Sequence, residues 1–85
     1  MAQINIRPSV RPASGHYLDY HAEWLYCLNN AASYFDMAHT AIRGHAFIGV
    51  LNEWMDADRV SPQVAAEYIK EVNQHTWDKW TTFMN

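Results

Sequence analysis

The stretch from Ser61 to Met84 constrains the fold of this chain most strongly, because a clear helix start is followed by uninterrupted apolar periodicity. Ser61 suits the N-cap position, and Pro62 suits the first helical turn, where its missing N–H removes no hydrogen bond. At ~100° per residue, apolar and weakly polar residues that recur every three or four positions share one face. We therefore predict an amphipathic helix over about 62–84, with this stripe: Ala65, Tyr68, Ile69, Val72, Thr76, Trp80 and Phe83.

A second apolar stripe precedes it, and its members keep one phase within about 80° of the helical wheel. They are Tyr17, Trp24, Leu28, Ala31, Phe35, Ala38 and Ile42. Because the phase continues across Asn29 and Asn30, we predict one helix over about 16–43, with Ser14 as N-cap and Gly44 as the C′ residue that closes it. A break at Asn30 is the alternative.

The two remaining segments complete the predicted fold. Residues 46–57 predict a shorter helix with these side chains inward: Phe47, Val50, Leu51, Trp54 and Met55. Pro8 and Pro12 disfavour helical geometry in the residues before them, so residues 1–14 predict an extended arm. The expected fold is all-α: a small helical bundle of two long helices and a short one, forming a single domain over 15–85.

Composition narrows the compartment and the class of protein. The one cysteine of the chain, Cys27, excludes an internal disulfide and is interpreted as a packed thiol. Apolar runs fall well short of the ~18 residues of a membrane span, and the N-terminus lacks the apolar core of a signal peptide. These features predict a cytoplasmic protein without membrane association.

Neither a catalytic motif nor a cofactor motif is present in the sequence. His21 and His39 fall on one flank of the predicted helix, but roughly 27 Å apart, too far to share an ion. Asp36 and His39 have the i, i+3 spacing of helical carboxylate–histidine metal sites, yet the pattern is not repeated elsewhere. We therefore expect no enzyme, no cofactor and no metal.

Surplus apolar surface gives the functional prediction. On the last helix, Ala66, Asn73, Trp77 and Met84 form a second line about 100° from the core stripe, and the chain holds four Trp, five Tyr and three Phe. We predict a non-enzymatic module that binds another protein as an inhibitor or adaptor, of a kind common among phage and mobile-element proteins that act on host machinery. The predicted partner-binding residues are Asn73, Trp77, Trp80, Met84, Arg7 and Arg11.

The length mismatch between two long helices and one short helix leaves apolar area uncovered, which predicts a homodimer. The alternative function is a nucleic-acid-associated regulator that uses residues 50–69 as a helix-turn-helix together with the basic arm. That reading is weaker, because the start of its recognition helix has no Lys or Arg and residues 15–85 carry nine acids against four bases.

Overall fold

The computed structural model describes residues 15–84, and the predicted arm over residues 1–14 lies outside the described residues. The fold is all-α, as predicted. Its elements are α1 (Tyr17–Asn30), α2 (Tyr34–Asp56) and α3 (Pro62–Met84). The predicted helix over 62–84 is confirmed, and the Ser61 hydroxyl caps it by accepting the Val64 N–H at 3.2 Å.

The prediction of one helix over 16–43 is wrong, because the chain breaks between Asn30 and Tyr34. A reciprocal cap starts α2 there. The Ser33 hydroxyl accepts the Asp36 N–H at 3.3 Å, and the Asp36 carboxylate accepts the Ala32 N–H at 2.8 Å. These bonds satisfy the Ala32 and Asp36 amides at the start of the new helix. They therefore favour a new helix that begins at Tyr34 over a continuation of α1.

The separate helix predicted over 46–57 is also wrong, because α2 runs without interruption from Tyr34 to Asp56. Gly44 therefore does not end a helix but lies buried inside one. A Cβ on Gly44 would lie 2.9 Å from Val72 Cγ1 and 3.1 Å from Trp24 Cδ1. The missing side chain thus lets α2 approach α1 and α3 closely at the same point.

Three sets of side-chain contacts define the topology of the bundle. Ring contacts pair Tyr17 with Trp54 and His21 with Phe47, so α1 and α2 are antiparallel. The pairs Tyr34–Trp80 and Phe47–Tyr68 likewise make α2 and α3 antiparallel. Tyr17 also meets Tyr68, and Trp24 meets Thr76, so α1 and α3 run parallel in an up-down-up bundle.

The break changes which face of α2 meets the core. Phe35, Ala38 and Ile42, predicted to be inward, are all exposed, and Phe35 is 80% exposed. Met37 and Ala41 lie inward in their place, and the core cluster joins all three helices: Trp24, Leu28, Met37, Ala41, Phe47, Leu51, Ala65, Val72 and Trp80.

The length mismatch persists, but with different helices. α2 and α3 have 23 residues each and α1 has 14, which gives lengths of about 34 Å and 21 Å. α1 packs on one side of the α2–α3 pair, so the opposite side of that pair has no helix of the described part of the chain against it.

Candidate protein-binding face between α2 and α3

A groove of about 240 Å³ lies between α2 and α3. Small and apolar side chains form most of it, and its polar members are amide, hydroxyl and imidazole groups. The lining residues are Ala41, Gly44, His45, Ile48, Val72, Asn73, Thr76, Trp77 and Trp80. We call this surface, together with Phe35, Ala38 and Ile42 beside it on α2, the α2–α3 face.

Trp77 and Trp80 have different roles in the groove. Trp77 is 42% exposed, so a large part of its indole is available at the surface. Trp80 is only 7% exposed and packs edge-on against Tyr34 at a centroid distance of 5.6 Å. Trp80 thus forms part of the core beneath the groove, as its place in the apolar stripe predicted, and its role in partner binding stays a prediction.

The structure places the other predicted binding residues as follows. Asn73 is exposed and lines the groove beside Trp77. Met84 is 36% exposed at the last turn of α3, outside the groove lining. Arg7 and Arg11 lie outside the described residues. The structure thus brings together Asn73, Trp77 and Trp80 from the predicted set.

Sequence reasoning missed the α2 side of this groove, which Ala41, His45 and Ile48 form. Ala41 and Ile48 belonged to two different predicted helices and His45 lay between them, so no shared face was assigned to these positions. The signal was the Ser33–Asp36 cap. A helix that starts at residue 34 places Ala41, His45 and Ile48 on one side, at successive steps of four and three residues.

Three polar contacts hold α3 in place on α1. The Trp24 indole N–H donates to the buried Thr76 hydroxyl at 2.9 Å. The Lys79 ammonium donates to the Leu28 carbonyl, which belongs to the last turn of α1 and has no bond within its own helix. His21 Nε2 lies 3.2 Å from Glu71 Oε1. Because these contacts lie on the α1 side of α3, they fix the helix while Trp77 stays on the opposite side.

An aromatic cluster packs between the three helices at the end of the bundle where α1 begins and α2 ends. Tyr17, His21, Phe47, Trp54 and Tyr68 make mutual ring contacts with centroids 5.2–5.9 Å apart. Such offset and edge-on packing is favourable beyond simple burial. The face therefore rests on a scaffold with well-defined packing.

One surface recess is lined by three of the groups considered for metal or thiol chemistry: Cys27, Asp36 and His39. The Asp36 carboxylate is part of the α2 cap, and the Cys27 thiol is half-buried beside His39 in a shallow surface recess. Between residues 15 and 84, no group of three or more His, Cys, Asp or Glu side chains is arranged to hold a metal ion.

Comparison with known proteins adds no functional assignment. No protein family, curated protein or solved structure matches the chain. Within residues 15–84, none of the helices combines the length and apolar character needed to cross a bilayer.

Proposed function

We propose that this chain is a non-enzymatic protein-interaction module that binds a partner protein through the α2–α3 face, with Trp77 as its main anchor. The observation that carries the proposal is the 42% exposure of Trp77 at a groove whose lining has no acidic or basic side chain apart from the imidazole of His45. Charged residues are depleted and Trp is enriched at the centres of protein interfaces.

The geometry suits a partner that presents a helix or an apolar loop. α2 and α3 lie side by side over about 34 Å, and a helix packed along such a groove meets two parallel ridges. Trp77 flanks the groove from α3, while Phe35 and Ile42 extend the apolar area along α2. Binding of this kind occupies a partner's surface, and we therefore assign the chain the role of inhibitor or adaptor. Its phage or mobile-element origin and its cytoplasmic location stay predictions.

The nucleic-acid alternative has less support from the described residues. α2 and α3 are antiparallel neighbours, whereas the helices of a helix-turn-helix cross at about 90–120°. The first two turns of α3 carry Glu67 and no base. Nucleic-acid binding whose affinity falls steeply with salt would favour this alternative.

The experiment compares Trp77→Ala with Tyr26→Ala. Tyr26 is 70% exposed on α1 and does not line the groove, so its truncation is a matched loss of one exposed aromatic ring. We expect both variants to keep the helical circular dichroism spectrum of the parent chain. Trp77→Ala should lose capture of the partner from cells of the source organism, and Tyr26→Ala should keep it. Equal capture by both variants would contradict the proposal.

A further inference from the structure

Two features of α2 have no explanation among residues 15–84, the part of the chain that the structure describes. Phe35 is 80% exposed although it is among the most apolar side chains of the helix. Gly49 lies in the helix interior, where glycine is unfavourable, and a Cβ placed on it would meet no atom of the described residues within 4 Å. Gly49 is therefore not needed for packing inside the bundle, in contrast to Gly44.

Both features belong to one outward stripe of α2. Phe35, Ala38, Ile42, Ala46 and Gly49 fall within about 80° of the helical wheel. The sizes of these side chains are arranged about Ile42 in a complementary way. Seven residues before Ile42 stands the large Phe35, and seven residues after it stands Gly49; Ala38 and Ala46 lie four residues on either side.

We propose that a second copy of this chain packs on the α2–α3 face, with the two α2 helices antiparallel and Ile42 on the two-fold axis. In this arrangement Phe35 of each copy covers Gly49 of the other, Ala38 lies opposite Ala46, and Ile42 meets its own counterpart. A two-fold interface repeats each contact, so one size pattern satisfies both halves. The small residues allow the helix axes to approach to about 8–9 Å.

Charge favours a second copy on this stripe. Residues 15–84 hold nine acids and four bases, so a contact that brings the acidic surfaces of two copies together is unfavourable. Between Met37 and Asn52, however, α2 carries no carboxylate, and its one charged residue, Arg43, lies 3.8 Å from Glu23 of the same copy. When two copies pack through this stripe, no carboxylate of one α2 helix lies against a carboxylate of the other.

The available area is also adequate. The stripe from Phe35 to Gly49 is about 21 Å long, which is too small alone for a stable interface. The full face of α2 and α3 measures about 34 by 20 Å, which sets an upper limit of roughly 700 Å², close to the ~800 Å² per partner of ordinary protein interfaces. The pairing therefore includes the neighbouring side of α3. It goes beyond the proposed function, since it is a property of the chain alone, and a foreign protein bound at Trp77 would compete with the second copy for this face.

The decisive test is a size swap measured by sedimentation equilibrium up to about 500 µM, a range that detects dimers with a Kd in the high micromolar range. The parent chain, of 9.9 kDa, should approach twice its mass. Phe35→Ala removes the large side chain of the pair, and Gly49→Phe fills the space that Phe35 of the other copy would occupy. Each change should therefore weaken dimerisation at least about tenfold. The double variant places the large side chain at position 49 and the small one at position 35, so it should recover most of the affinity between the two copies.

Both positions tolerate these changes in the single chain, because Phe35 is exposed and Gly49 faces open space. Circular dichroism checks that the variants stay folded. A monomeric parent chain over the whole concentration range would overturn the proposal. A dimer that the single variants do not weaken, or that the double variant does not restore, would overturn this pairing of α2 helices.

An independent readout is disulfide trapping in a Cys27→Ser background. Ile42→Cys should form a symmetric disulfide between two copies under mild oxidation, because the two thiols face each other across the axis. Glu67→Cys is the matched control, since Glu67 is exposed in a recess of α3 away from the groove. Equal or greater trapping at Glu67 would contradict the predicted two-fold axis. Both readouts use the purified chain with Trp77 intact and need no foreign partner.

Discussion

The two glycines of α2 provide a matched pair of substitutions for the packing of the bundle. Gly44→Ala and Gly49→Ala make the same chemical change inside the same helix, so the gain in helix propensity is similar at both sites. That gain amounts to about 0.5–1 kcal/mol in a helix interior. Any difference between the variants in the free energy of unfolding therefore reports what the added methyl group meets.

At Gly49 the methyl group enters open space, and we expect a gain of about 0.5–1 kcal/mol. At Gly44 it would lie 2.9 Å from Val72 Cγ1 and 3.1 Å from Trp24 Cδ1, so these buried side chains or the helices that carry them must shift. Overpacking of this kind costs about 1–3 kcal/mol, which offsets the helix gain and leaves Gly44→Ala neutral to about 2 kcal/mol destabilised. The expected difference between the two variants is about 1–3 kcal/mol.

Urea unfolding followed by circular dichroism measures this difference directly. It should be done at low micromolar concentration, because dimerisation would add stability that depends on concentration. A difference of this size shifts the melting temperature by several degrees in so small a domain. If Gly44→Ala stabilises the chain as much as Gly49→Ala does, the close crossing of α2 with α1 and α3 at Gly44 is refuted.

Three further predictions concern single contacts, each measured as the free energy of unfolding of the monomer. Trp24→Phe loses the hydrogen bond to the buried Thr76 hydroxyl and should cost about 1–3 kcal/mol. Trp80→Phe should cost clearly less, because the indole nitrogen it removes is buried without a partner among the described residues; equal losses would contradict this. Ser61→Ala removes the α3 cap and should cost about 1 kcal/mol, and an unchanged stability would refute that role. Phe35→Ala should change stability by less than about 0.5 kcal/mol, since the ring is 80% exposed, and a loss of several kcal/mol would place it in the core.

Prediction from sequence succeeded where local and long-range signals agreed. In α3, the Ser61–Pro62 start and the stripe through Val72 and Trp80 indicate the same helix, and the structure has it with the predicted bounds. The stripe also separated the buried face from the line with Trp77, which is half exposed. Burial and exposure of α3 therefore followed from its periodicity.

The failure at α1 and α2 has a physical cause in the composition of α2. That helix is apolar on its outward side as well as on its inward side, so a stripe through Phe35 and Ile42 continued the phase of α1 although it faces outward. The Ser33–Asp36 cap was the competing local signal. The prediction that Gly44 ends a helix failed for a related reason. A glycine that ends a helix and one that permits a close crossing of helices differ only in what packs against them.

Photo-crosslinking from the groove tests the central claim, that the α2–α3 face is where this chain meets another protein. A benzophenone side chain replaces Asn73, which is exposed in the groove and leaves Trp77 intact. The control replaces Glu67, which is exposed in a different recess of α3. After irradiation in cells of the source organism, we predict covalent adducts with a foreign protein, identified by mass apart from adducts between two copies, from position 73 and few or none from position 67. Adducts that form from position 67 as readily as from position 73, or only from position 67, would contradict the assignment of this face.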